Sequence, residues 1–205
     1  MANVDVPRGL TPIRHRNGAP YTGSGNPYVV LSTYATALFV GDPVIRVAGG
    51  SNTAKIDTTG GTFEIGTLAD VEKATATTAN YTTGVIVGFN ELPNDLDKQY
   101  NAASTERIVY VEDDPDVIFE IQANGAIPAA SIGLNAQYIF THSGSTVTGR
   151  SGVELDTTSN PPATTATDQL RILRAVNRID NDTTLTHAKV EVMINLHTER
   201  SGAGI

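Results

Sequence analysis

Across residues 187–197, Val190, Val192, Ile194 and Leu196 alternate with Lys189, Glu191, Met193 and Asn195. Successive side chains of an extended chain point to opposite faces, so this spacing writes a half-buried β-strand. The signature recurs at 117–122, where Val117, Phe119 and Ile121 oppose Glu120 and Gln122. Just before it, Arg107, Val109 and Val111 share one face while Ile108 and Tyr110 share the other. Shorter apolar runs at 28–31, 38–40, 44–47, 82–89, 138–140, 146–148 and 170–176 read as further strands. Turn chemistry separates them: Gly41-Asp42-Pro43, Gly49-Gly50, Gly60-Gly61, the acidic stretch around Pro115, residues 142–145 and Asn181-Asp182. Two hairpins are expected, one about residues 41–43 and the stronger one spanning 106–123. Residues 69–77 could supply a short helix, weakened by threonine and β-branched content, and 170–176 fits both periods but is read as strand beside the clear alternation at 187–197. The pattern therefore predicts a mostly β chain with little helix, an antiparallel β-sandwich or barrel.

Residues 1–27 follow another rule. Pro7, Pro12, Pro20 and Pro27, with glycines between them, remove ladder donors and stop helices. This stretch reads as an extended N-terminal arm ahead of a single β-rich domain at 28–205. Within that domain the low-complexity segment 156–168 is expected as an exposed loop. The arm carries apolar anchors at Val4, Val6, Leu10, Ile13 and Tyr21, and cations at Arg8, Arg14 and Arg16. Two readings stand: a frayed terminus, or an arm that docks on a neighbour through these residues.

The whole chain of 205 residues carries a formal charge of −8. Duplex nucleic-acid binders replace counterions around phosphates and show basic surfaces, so this balance argues against nucleic acid as a direct partner. The charge is uneven. Residues 1–50 hold Arg8, Arg14, Arg16 and Arg46 against Asp5 and Asp42, so a mildly basic head precedes a more acidic body. Only 18% of residues are charged against 40% hydrophobic, which suits a protein that lies against neighbours. There is no cysteine, which removes disulfides, thiol nucleophiles and thiolate zinc sites. No signal-peptide core and no apolar run near the ~20 residues of a membrane span occurs. A soluble product made in the cytosol, with no membrane partner, is expected.

Catalytic chemistry has no foothold in the motifs. Neither a phosphate-cradling loop nor a dinucleotide fingerprint is present, and Gly23-Ser24-Gly25 precedes no helix. His15, His142, His187 and His197 are scattered; His187 and His197 could approach only if a strand bends. The expectation is no catalytic residue, no cofactor and no metal ligand set. Glu112, Asp113, Asp114 and Asp116 cluster, but they lack the spacing of a calcium loop and read as a solvated hairpin tip. Without tryptophan and with 6% aromatics, the chain lacks the stacking platforms of glycan clefts.

Several strings carry a resemblance. The opening MANVDVPRGLTPIRHRNGAPYTGSGNPY, residues 32–43, TTGVIVGF at 82–89, AASTERIVYVEDDPDVIFEIQ at 102–122 and THAKVEVMINLH at 186–197 span most of the chain. Together they resemble a family of tailed-phage virion structural proteins, the head decoration or cement proteins. The resemblance implies a non-enzymatic subunit on the outer surface of the phage head. It implies the major capsid protein as partner, self-association as a homotrimer, and stabilisation of contacts between capsid subunits. A different virion β protein (tail, neck or fibre-associated) and a glycan- or surface-binding module are the alternative readings.

Overall fold

The apolar runs become strands largely where the alternation places them. The computed structural model describes residues 3–57, 60–77, 79–92 and 95–200. The N-terminal half supplies β1 (Thr11–His15), β2 (Asn26–Val30), β3 (Pro43–Gly50), β4 (Lys55–Ile56), β5 (Thr62–Phe63), β6 (Ala69–Lys73) and β7 (Gly84–Phe89). Then follow β8 (Arg107–Glu112), β9 (Val117–Gln122), β10 (Asn135–Ala136), β11 (Tyr138–Ile139) and β12 (Glu154–Leu155). The last two are β13 (Leu170–Ala175) and β14 (Lys189–Ile194). Among the described residues, helix is confined to two 3₁₀ turns, Ala129–Ser131 and Thr198–Arg200. Of the helical candidate at 69–77, residues 69–73 form strand β6, because Val71 at 0% exposure is needed inside a sheet, and 74–77 continue as loop.

Two larger β units divide the chain. Strands β2, β6, β3, β7 and β8 close into a barrel, antiparallel except for the β2–β6 contact. Tyr28, Val30, Val44, Val71, Ile86, Val109 and Val111 pack as one cluster inside it. Val29 and Ile108, one residue out of phase, face outward into a smaller cluster with Leu68. The second unit is a five-stranded antiparallel sheet in the order β1-β9-β14-β13-β10. Its inner face presents Val117, Phe119, Ile121, Leu170, Ile172, Val190, Val192 and Ile194 to the largest core cluster. Ala74 and Val85 join that cluster from the barrel wall, so sheet and barrel share a core.

The 106–123 hairpin expectation fails in an instructive way. Both segments are strands, but β8 pairs with β7 and β2 while β9 pairs with β1 and β14. Closing the barrel occupies both edges of β8, so β9 must leave for the other sheet. The acidic turn is thus the bridge between the two units. Its carboxylates are also spent rather than free: Asn26 and Tyr28 donate to Asp113, each at 2.7 Å, and Arg200 donates to Asp116 at 2.6 Å. His15 lies 3.0 Å from Asp114.

Residues 38–40 do not form a hairpin with β3 either. Leu38 bridges Asn101 and Val40 bridges Arg150, because Gly41, at φ +96°, turns the chain out of register. Residues 146–148 are a turn with Val147 exposed, not a strand. Strand β14 is buried on both faces instead of half-buried; as the middle strand of five, its polar face is covered by arginine side chains. Segment 156–168 is largely exposed between buried Asp156 and Asp168. Asp156 anchors the loop by accepting from the Thr158, Ser159 and Asn160 backbone N–H groups.

The N-terminal segment is extended but folded onto its own subunit. Strand β1 forms the edge of the five-stranded sheet, and Leu10, 1% exposed, belongs to the main core. Asn26 and Pro27 already belong to β2. The proline-rich composition allows this because an edge strand needs donors on one side only.

Candidate interaction surface

The outer face of the five-stranded sheet is built by register. Glu120 of β9 lies directly opposite Glu191 of β14, and Gln122 opposite Lys189, so these side chains share the outer face. Two irregularities then add arginines. In β13, Ile172 pairs with Val192 but Arg174 pairs with Glu191, so Leu173 is an extra residue. Arg171 and Arg174, three apart in sequence, consequently both face outward. In β1 the same happens about Ile13, which brings Arg14 onto the face of Thr11.

Glu191, 7% exposed, sits between these arginines, accepting from Arg14 at 2.6 Å and pairing with Arg174 at 2.8 Å. Burial would raise its pKa, but the hydrogen bonds from Arg174 and Arg14 outweigh burial and hold the carboxyl below its ordinary value. Arg178 forks onto Glu120 at 2.8 and 3.3 Å. Arg16, Arg171 and Arg200 surround a cleft of about 320 Å³ floored by Leu173 and Met193. Arginines 14, 16, 171, 174, 178 and 200 therefore lie on one face of a chain whose net charge is −8. Guanidinium groups present fixed forks of donors that match carboxylates; Glu191, Glu120 and Asp116 of the chain itself already accept from Arg14, Arg174, Arg178 and Arg200, while Arg16 and Arg171 line the cleft beside Leu173 and Met193.

The sequence-predicted contact residues divide into three groups. Arg14 and Arg16 belong to this face. Val4 (67% exposed), Val6 (46% exposed) and Arg8 line an adjoining cleft of about 380 Å³ with Glu120, Arg178 and Lys189. Leu10 is in the core, Ile13 is the half-buried bulge of β1, and Tyr21 is half-buried beside the acidic turn. Burial, then the Glu112 carboxylate, pushes the Tyr21 phenol up to about 12. Leu10 thus serves this subunit's own packing. Sequence reading missed Arg171, Arg174, Arg178 and Arg200, since strict alternation assigns Arg171 and Arg174 to opposite faces.

The histidines also separate. His197 is buried near β7, with Thr82 bridging it. His187 instead meets Asp5 and Glu154, whose potential ligand atoms all lie within 4.8 Å of one another. No protein-family model, curated protein or solved structure matches this chain.

Proposed function

We propose that this chain is a decoration protein of a phage head, docking on the major capsid protein through the outer face of its five-stranded sheet. The observation that carries the reading is the gathering of arginines on that face of an otherwise acidic chain. A lattice of capsid subunits offers many copies of one acidic complement, so a modest contact repeated becomes tight by avidity. The exposed apolar edge at Val4 and Val6 extends the same surface. In this reading the protein is a non-enzymatic virion component on the outside of the head, self-associating as a trimer.

The test is rebinding. Purified protein is mixed with expanded heads that lack it, and bound copies per capsid subunit are counted. Saturable binding at a fixed ratio, weakened by salt and reduced at least about tenfold by Arg171→Glu with Arg200→Glu, is expected. Unchanged binding by that variant would move the contact elsewhere. Failure to bind heads, with binding to tails or host glycans, would overturn the function.

A further inference from the structure

Behind the N-terminal segment, three side chains of distant sequence position meet. Asp5 comes from the segment before β1, Glu154 from β12 and His187 from the loop entering β14. His187 Nδ1 stands 3.5 Å from Asp5 Oδ1 and 3.9 Å from Glu154 Oε1. Glu154 is 1% exposed, so its carboxylate is held away from water. His187 Nδ1 is itself buried and, among the described residues, makes no hydrogen bond.

One neighbour organises both carboxylates. Gln122 Nε2 donates to Asp5 Oδ1 and to Glu154 Oε1, each at 2.9 Å. Its amide orientation is set by the Val6 N–H, which donates to Gln122 Oε1 at 3.1 Å. Each carboxylate oxygen keeps a further lone pair for another partner. On the far side, His142 Nε2 lies 3.4 Å from the other oxygen of Glu154.

We propose that Asp5, Glu154 and His187 bind one divalent first-row cation, fastening the N-terminal segment to the body. Two carboxylates and an imidazole suit zinc or its neighbours better than calcium or magnesium, which take oxygen-only shells. Ligands on a tetrahedral zinc at about 2.0–2.2 Å stand roughly 3.3–3.6 Å apart. The two His187 separations therefore need contraction by only a few tenths of an ångström, and the two carboxylate oxygens, within 4.8 Å of each other, close the remaining distance on the ion. The cation offsets two negative charges, one of them buried, and gives the free Nδ1 a partner. Gln122 and His142 act as the outer partners that hold carboxylate ligands in place.

The test uses the full chain, freed of metal with a chelator and titrated with zinc chloride by calorimetry. One zinc per chain and a raised melting temperature are expected. Asp5→Asn and His187→Asn should each weaken binding by at least about tenfold, since losing even an outer partner costs that much. Asn tolerates the left-handed φ of +61° at position 187, and Asp5 is partly exposed, so both variants keep the fold. Absence of saturable uptake, or equal uptake by the double variant, would overturn the proposal. So would a melting temperature that does not respond to zinc.

Discussion

Gly9 and Gly41 lie backbone against backbone: a Cβ on Gly9 would stand 2.3 Å from the Gly41 carbonyl oxygen. A Cβ on Gly41 would in turn stand 2.3 Å from the Arg8 carbonyl oxygen. Both residues take left-handed φ, +67° and +96°. The Leu10 N–H then donates to Gly41 at 2.9 Å, and the Leu10 side chain enters the main core. This crossing joins the N-terminal segment to the loop that feeds barrel strand β3.

Gly9→Ala should therefore lose stability twice, through backbone strain and through a clash that only backbone movement relieves. A loss of roughly 2 kcal/mol or more is expected in urea unfolding. Gly18→Ala is the control. It shares a positive φ of +90° but meets nothing within 4 Å, so about 1 kcal/mol is expected there. Equal losses at the two positions would mean that the crossing contributes nothing.

Asp42 carries a carboxylate with 0% exposure, satisfied by the Phe39 N–H at 2.9 Å, the Ser151 hydroxyl at 2.6 Å and Lys73 at 2.9 Å. Removing the cation leaves that charge buried and unpaired. Lys73→Met is expected to cost about 3 kcal/mol, and Asp42→Asn with Lys73→Met less than the sum of the single changes. Chemical denaturation of the four proteins gives the coupling directly. Strict additivity would show that Lys73 and Asp42 do not depend on each other.

On the outer sheet face, Arg14 and Arg174 share Glu191 unequally. The Arg14 side chain is 29% exposed and that of Arg174 61%. Solvent screens the second pair more, so Arg14→Ala should cost about 1–2 kcal/mol and Arg174→Ala measurably less. Thermal unfolding at low and high salt checks the ranking, with the Arg174 effect vanishing first.

His197 supplies a pH dependence. Burial disfavours its charged form and lowers its pKa below the ordinary 6.5. Above 6.5 the ring is neutral in both states and its contribution to stability is complete. As pH falls through 6.5, the unfolded chain takes a proton that the folded chain refuses, and stability declines until the folded-state pKa is reached. The slope from this group is bounded at about 1.4 kcal/mol per pH unit. Urea midpoints at pH 7.5 and 5.5 measure it. His197→Asn keeps an acceptor for the Glu199 N–H, which now donates to Nδ1 at 3.1 Å, and should flatten that slope.

Individual strands were legible because burial on one face leaves a period of two in the chain. Val117, Phe119 and Ile121, and likewise Val190, Val192 and Ile194, were assigned one face and occupy one core cluster. Val109 and Val111 share the barrel interior as their spacing required. Pairing was less legible. A strand's own residues say which face it buries but not which edge finds which partner, and that is how β8 and β9 looked like a hairpin.

The candidate surface shows the same limit more sharply. Arg14 and Arg16 were visible as cations of the N-terminal segment, whereas Arg171 and Arg174 were not visible as neighbours of each other. A one-residue bulge is an event between two strands, so no period within one strand announces it. Asp5, Glu154 and His187 are more distant still, brought together by three separate backbone paths.

The sequence by itself determined a mostly β chain, the faces of its central strands, and the extended form of the segment that carries β1. Those properties rest on local sterics and on side-chain period, which act within a few residues. Tertiary structure alone decided that β8 closes a barrel, that Leu10 draws the N-terminal segment into its own core, and that the arginines collect on one face. Each of these depends on which edges and surfaces remain free once other strands have paired, and that competition is settled by the whole chain at once.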